Sequence, residues 1–223
     1  LQSKNTISDL AESVNELDEE LIESVTVAHG SGLKVLLPPL SPEDAERIAP
    51  ADLAEIVRHV ARYYDFVIVD MSKRLDDVTI NIMDSAERIV LVANPTLPSI
   101  KNIRIILDLF LALDYPREKV MFLMNRVSTD TRGGRASIPI EAIENNLKRK
   151  TDGRIPVDDR AFLSAVNQGV SVIATDPNKS PAADLLHFAE RVRHSLLGES
   201  AETNEPVPQQ RSRLSGIFGG LGS

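Results

Sequence analysis

Apolar residues recur along this chain in two rhythms. Between residues 8 and 25, Leu10, Val14, Leu17 and Leu21 fall three or four positions apart. That is the spacing of one helix face, with a break or bend expected near Asp18. Residues 50–63 repeat the pattern with Leu53, Ile56, Val57 and Val60, and residues 98–113 with Ile100, Ile103, Leu107 and Leu111. Further helices are predicted over 78–86, 139–147 and 160–167. A terminal helix over 181–197 is expected to turn Leu185, Phe188, Ala189 and Val192 inward. The second rhythm is the short apolar run. Residues 33–37 form one, bounded by Gly32 and Pro38-Pro39. Residues 66–70, 88–92 and 120–124 are others, and 154–156 and 170–174 read as shorter strands.

Strands apolar on both faces and separated by amphipathic helices predict an α/β fold, a mostly parallel sheet with helices on both sides. Ligands of such sheets bind at the carboxyl ends of the strands. Asp70, Asn94 and Asn125 fall at those ends. Residues 128–136 read as a polar, glycine-containing loop with Arg132 and Arg135 around Gly133-Gly134. The first 197 residues read as one domain, and 198–210, polar with Pro206 and Pro208, as a disordered linker. In the tail, 211–223, Leu214, Ile217, Phe218 and Leu221 would share one helical face behind Arg211 and Arg213. This is the layout of a short membrane-surface or partner-groove helix. Gly216, Gly219, Gly220 and Gly222 each oppose helix by about 1 kcal/mol, so the tail would fold only when bound. A plain disordered end is the other reading.

The net charge of −8 argues against a surface built to grip nucleic acid. Cysteine is absent, which excludes disulfides and thiolate metal sites and suits a reducing compartment. His187 and His194 share a helix face but read as ordinary surface histidines rather than as a zinc pair. No apolar run is long enough for a membrane-spanning helix, and the first residues do not form a signal peptide. The chain begins with Leu1 rather than Met, which suggests a fragment or a processed chain.

Candidate chemistry starts with Asp70. A carboxylate at the tip of a buried strand is fixed at a water-accessible edge, where a hard cation can take its oxygen directly or through water. A plain cap or turn residue has the same pattern, and the residues alone leave both readings open. The phosphate-binding loop G-x-x-x-x-G-K-[ST] is absent from all 223 residues, as is a Gly-x-Ser-x-Gly nucleophile elbow.

Four stretches occur in a telling order. They are Tyr64-Asp-Phe-Val-Ile-Val-Asp70, Leu75-Asp-Asp-Val-Thr79, Ala86-Glu-Arg-Ile-Val-Leu-Val92 and Asn94-Pro-Thr-Leu-Pro-Ser-Ile-Lys-Asn102. Together with Met124-Asn-Arg126 and Ile155-Pro-Val-Asp-Asp159 they resemble the MinD/ParA family of P-loop ATPases, and within it the CpaE/TadZ branch that helps to localise pilus-assembly machinery. The resemblance implies an ATP- and Mg²⁺-binding protein. Asp70 would then assist the metal and catalysis. Asn125 would contact the adenine, with Arg126 beside it and Pro156, Val157 and Asp158 bordering the base. It also implies that the first strand and the phosphate loop lie upstream of Leu1. One departure touches the chemistry: where MinD-like members carry Ser-Pro-Ala-Gly after the strand Asp, this chain has Met71-Ser-Lys-Arg74.

The expected function is therefore that of a fragment of an ATPase positioning a pilus or secretion assembly through ATP-dependent dimerisation. Its partners would be a second copy and cell-pole proteins, with no nucleic acid. Its place would be the cytoplasm, peripheral to the inner membrane face through the tail. The alternatives are a non-catalytic localisation scaffold of the same fold, and a chromosome- or septum-site-partitioning ATPase.

Overall fold

The computed structural model describes residues 5–128 and 138–198. Its first helix, α1 (Ile7–Glu12), starts where the sequence supplies its own hydrogen bonds. Thr6 Oγ1 accepts the Ser8 N–H at 3.2 Å, and the Asp9 carboxylate takes the Thr6 N–H at 2.7 Å. The expected bend comes through a 3₁₀ turn at Val14–Glu16. Asp18 then caps α2 (Glu19–Val25) by accepting the Leu21 N–H at 2.8 Å. Leu10, Leu17, Ile22 and Val25 pack with Ile56 of α4 (Pro50–Val60) into a small core of their own. A short helix, α3 (Pro42–Glu46), precedes α4.

The strand expected at 33–37 is β2 (Lys34–Leu36), but it does not join a parallel sheet. It pairs antiparallel with β1 (Thr26–Ala28), which the sequence reading missed. The connection closes with the His29 N–H on the Leu33 carbonyl at 2.8 Å, and Gly32 adopts a φ of 90°.

The main sheet is parallel, in the order β3 (Ile89–Ala93), β4 (Val120–Val127), β5 (Gly153–Pro156). Leu91 lies beside Phe122 and Ala93 beside Met124, so these side chains share one face. Met83 of α5 (Asp77–Ser85), Ile100, Ile103 and Phe110 of α6 (Leu97–Ala112), and Ile140 and Ile143 of α7 (Ile140–Leu147) close over that face. Met121 and Leu123 point the other way and are also buried, as expected for a strand apolar on both faces.

Two expected strands are not formed. Residues 66–70 form neither helix nor strand and are exposed, and among the described residues no backbone hydrogen bond joins them to a neighbouring strand. An apolar run becomes a strand only beside a partner that takes its N–H and C=O groups. Residues 170–174 also fail as a strand. Ser171 accepts the Ile173 N–H at 3.3 Å and starts a single helical turn, α9 (Val172–Thr175).

The chain divides into two compact units, Leu1–Asp159 and Arg160–Ser223. The second holds nearly all of α8 (Asp159–Gln168), with α9 and α10 (Ala182–Leu197). In α10, Ala182 and Phe188 are buried, whereas Ala189, expected inside, is exposed. α10 ends at Gly198, whose φ of 68° is the left-handed geometry that glycine adopts without a Cβ clash.

Candidate functional site

The carboxyl end of β4 departs from regular pairing. Its register with β5 holds at Met124 beside Arg154, shifts, and resumes at Val127 beside Pro156. The irregularity contains Asn125 and Arg126. Arg126 has a φ of 57°, a left-handed conformation in which a β-carbon crowds the backbone. Two interactions engage it. Its N–H donates to Asn125 Oδ1 at 2.9 Å, and its guanidinium pairs with Asp159 at 2.8 Å. The Val157 N–H donates to the Val127 carbonyl at 2.9 Å, which ties the residues after β5 to the end of β4. Asn125, Arg126, Pro156, Val157 and Asp158 thus come together at the ends of two adjacent strands.

The end of β3 adds to the same rim. The Asn94 N–H donates to Ser99 Oγ at 3.1 Å, and Thr96 caps α6. Polar residues therefore stand at or just beyond the carboxyl ends of the parallel strands, Asn94 after β3, Asn125 and Arg126 in β4 and Asp158 after β5, on the side where ligands of open α/β sheets bind. Asn125 is partly exposed. Its amide offers a donor and an acceptor edge that match adenine, although Oδ1 already accepts one hydrogen bond and has a single further lone pair for a base.

Asp70 is placed differently. It ends the unpaired stretch 66–70, is exposed, and has no hydrogen-bonded or ion-paired neighbour among the described residues. No hydrogen bond joins it to Asn125. After it the chain tightens toward α5. The Arg74 N–H donates to Ser72 Oγ at 3.3 Å, and the Thr79 hydroxyl donates to the Arg74 carbonyl at 2.8 Å. Asp76 caps α5 by accepting the Thr79 N–H at 3.0 Å, and that backbone hydrogen bond is the main reason its carboxyl sits below the usual carboxylate range. Lys73 and Arg74 are exposed in this loop. Among the described residues no three acidic or imidazole side chains converge on one point. A single carboxylate suits Mg²⁺, which keeps much of its water and takes substrate phosphates as further ligands.

Two features escaped the sequence reading. Asp159 is one, paired with Arg126 from the start of α8. Glu144 is the other, a buried carboxylate joined to Lys150, Thr151 and Arg154. Its signal was present, since it shares the apolar face of α7 with Ile140, Ile143 and Leu147. The loop arginines Arg132 and Arg135, and the tail residues Arg211, Arg213, Leu214, Ile217, Phe218 and Leu221, lie outside the described residues. Among the described residues no helix is long and apolar enough to cross a membrane.

No family model matches the chain. Among curated proteins, the septum site-determining protein MinD of Thermotoga maritima is 25% identical over 158 residues, covering 71% of this chain and 58% of the relative. MinD of Bacillus subtilis is 23% identical, covering 83% and 66%. The chain thus spans about two thirds or less of the length of these relatives. Among solved structures, a ParA family ATPase from Chlorobium tepidum superposes with a TM-score of 0.77 at 22% identity, over 85% of this chain and 77% of that one. MinD of Pyrococcus horikoshii, complexed with Mg-ADP, gives 0.69 at 19%, over 86% and 74%. MinD of Aquifex aeolicus, in its complex with MinC, gives 0.65 at 22%, over 87% and 74%. With its parallel sheet, its polar strand ends and these similarities, the chain has the α/β fold of the MinD/ParA P-loop ATPases and resembles MinD in sequence.

Proposed function

We propose that this chain is the greater part of a MinD/ParA-like ATPase that positions a pilus or secretion assembly at one cell site, dimerising with ATP and separating on hydrolysis. The observation that carries the nucleotide reading is the grouping of Asn125 and Arg126 with Pro156, Val157 and Asp158 at adjacent strand ends. The Mg-ADP of the Pyrococcus horikoshii protein supports it by similarity of fold. In this reading Asn125 would read the base edge, Pro156 and Val157 would border it, and Asp70 would help to hold Mg²⁺. Magnesium, when bound, offsets the charge of the phosphates. The upstream polypeptide would supply the phosphate loop.

In the whole-length protein, Asn125→Ala should weaken ATP binding by about 1–3 kcal/mol, roughly 5- to 150-fold, the cost of leaving a base edge unpaired. Calorimetric titration measures it, and unchanged affinity would remove the adenine role. Asp70→Ala should slow phosphate release by about 100-fold or more while ATP still binds. A parental rate would remove the metal role.

A second reading rests on the Met71-Ser-Lys-Arg74 loop, which departs from the small-residue segment of MinD-like members and favours a localisation scaffold without turnover. An upstream phosphate loop lacking its lysines would decide for it. The septum-site function named for the curated relatives is the third reading; among the partitioning roles, the net charge of −8 disfavours one that grips DNA. Placement at the inner membrane face is proposed through residues 211–223. Vesicle co-sedimentation with and without that tail tests it, and equal pelleting would exclude the membrane.

A further inference from the structure

Carboxylates outnumber cations in this chain, yet four cations gather near the amino ends of β4 and β5 and make no salt bridge among the described residues. The adjacent Lys150 and Arg154, by contrast, are paired with Glu144. The four are Arg104 of α6, Arg117 of the 3₁₀ turn Arg117–Lys119 that leads into β4, and Lys148 and Arg149 at the end of α7. Backbone carbonyls hold them together. Arg117 donates to the Lys148 carbonyl at 2.8 Å, Arg149 to the Arg117 and Val120 carbonyls, and Arg104 to the Asn146 carbonyl at 2.6 Å. A neutral carbonyl fixes a guanidinium without cancelling its charge. The fold therefore sets like charges side by side. Burial first, and then Arg117, pull the Arg149 guanidinium below the ordinary arginine range, against the opposing charge of Asp152. Lys148 adds a second cost. It stands exposed in the left-handed conformation, with a φ of 51°, where glycine is the unstrained choice.

We infer that Arg104, Arg117, Lys148 and Arg149 form a docking surface for a short acidic segment of a partner protein. Repulsion and backbone strain gathered at one exposed place mark a site whose opposite charge comes from outside. Guanidinium groups already anchored on carbonyls lose little freedom when a carboxylate takes their remaining N–H groups. The patch is broken by exposed acids: Glu118 directly after Arg117, Asp114 before it, and Asp108 one turn beyond Arg104. A continuous phosphate backbone or an anionic bilayer would lie across those carboxylates, and the net charge of −8 repels it further. A peptide with spaced acidic side chains avoids them. The surface lies at the end of the sheet opposite the rim of Asn125 and Pro156, so it neither uses nor requires the nucleotide site.

The test titrates a fluorescently labelled peptide of alternating glutamate and serine with the chain, at neutral pH and low salt, and reads anisotropy. Binding should saturate, and should weaken as salt is added. Lys148→Gly and Arg117→Gln should each weaken it by roughly 2- to 5-fold, the effect of losing one exposed charge pair, and Lys148→Arg should keep it. Lys179→Gln removes an exposed cation from the second unit and changes the net charge equally, so it should leave binding unchanged. Lys148→Gly should also raise the melting temperature, which separates its loss of binding from unfolding. A lower melting temperature would show that Lys148 serves the dipole of α7 instead, and would overturn the inference. Absence of peptide binding, binding indifferent to Lys148→Gly and Arg117→Gln, or equal weakening by Lys179→Gln would each do the same. So would tighter binding of a short DNA duplex, or of phosphatidylglycerol vesicles, through the same residues.

Discussion

At the scale of single residues, Glu144 has the most to lose. It is 4% exposed, and its carboxylate accepts from Lys150 at 2.8 Å, from the Thr151 N–H at 3.0 Å and hydroxyl at 2.7 Å, and from Arg154 at 3.1 Å. Burial alone would push its carboxyl up. The hydrogen bonds from Lys150, Thr151 and Arg154 outweigh burial and hold it down at about 2. A carboxyl depressed in the folded state stabilises fully above its unfolded value, near 4.3, and that stability is lost as pH falls toward 2. Glu144→Gln should cost about 1–3 kcal/mol at pH 7, a moderate figure because Lys150 and Arg154 can turn to water. Urea unfolding should show the gap between parent and variant closing between roughly pH 4.3 and pH 2; a gap independent of pH would show that shape, not charge, is what Glu144 supplies. Arg126 makes a different point. Its ion pair with Asp159 is exposed and adds little stability, so its strained backbone is held chiefly by the hydrogen bond to Asn125 and by the strand ends around it.

Among the elements, helix ends show how far local chemistry determines where a segment stops. α10 ends at Gly198 in the left-handed conformation, whereas α7 ends at Lys148, with a φ of 51° and no glycine. The turn closes through the Arg149 N–H on the Glu144 carbonyl at 3.0 Å, so a lysine is forced into the position that glycine favours. Lys148→Gly should stabilise the chain by up to about 1 kcal/mol, because the carbonyl that accepts from Arg117 is kept and the β-carbon clash is removed. A melting temperature lower than the parent's would contradict this; a rise of roughly 2–4 °C is expected. Helices with a continuous apolar face, α4, α6 and α10, were legible to within a few residues, and so were β4 and β5 at the ends that carry Asn125 and Pro156. What failed has a common cause. Residues 66–70 carry the pattern of a buried strand but pair with no strand among the described residues, and β1 is three residues long and recognisable only through its pairing with β2. Residues 170–174 are as apolar as a strand, yet Ser171 caps a helical turn there. Pairing and capping depend on groups that apolar periodicity does not register. For the same reason the sequence could place Asn125 beside Pro156 but could not show Asp159 closing on Arg126.

Across the whole molecule, an acidic surface is set against uncovered apolar strands. A net charge of −8 repels copies of the chain at neutral pH, while the edge of β3 that is unpaired among the described residues and the exposed run at 66–69 offer each copy a surface on which to pair. Repulsion weakens as pH approaches the sequence pI near 5.1, because carboxylates take up protons while lysine and arginine remain charged. Edge pairing depends on apolar contact and backbone hydrogen bonds, which this titration leaves unchanged. The chain should therefore sediment as a monomer at pH 7.5 and low salt, and associate progressively as pH falls toward about 5. Added salt at pH 7.5 should shift it the same way, since screening removes the same repulsion. Ile68→Lys should suppress association under both conditions, by interrupting the apolar run and by adding charge at the edge. A chain that stayed monomeric near its pI, or one whose association ignored Ile68→Lys, would show that charge does not restrain these strands and that their exposure has another cause.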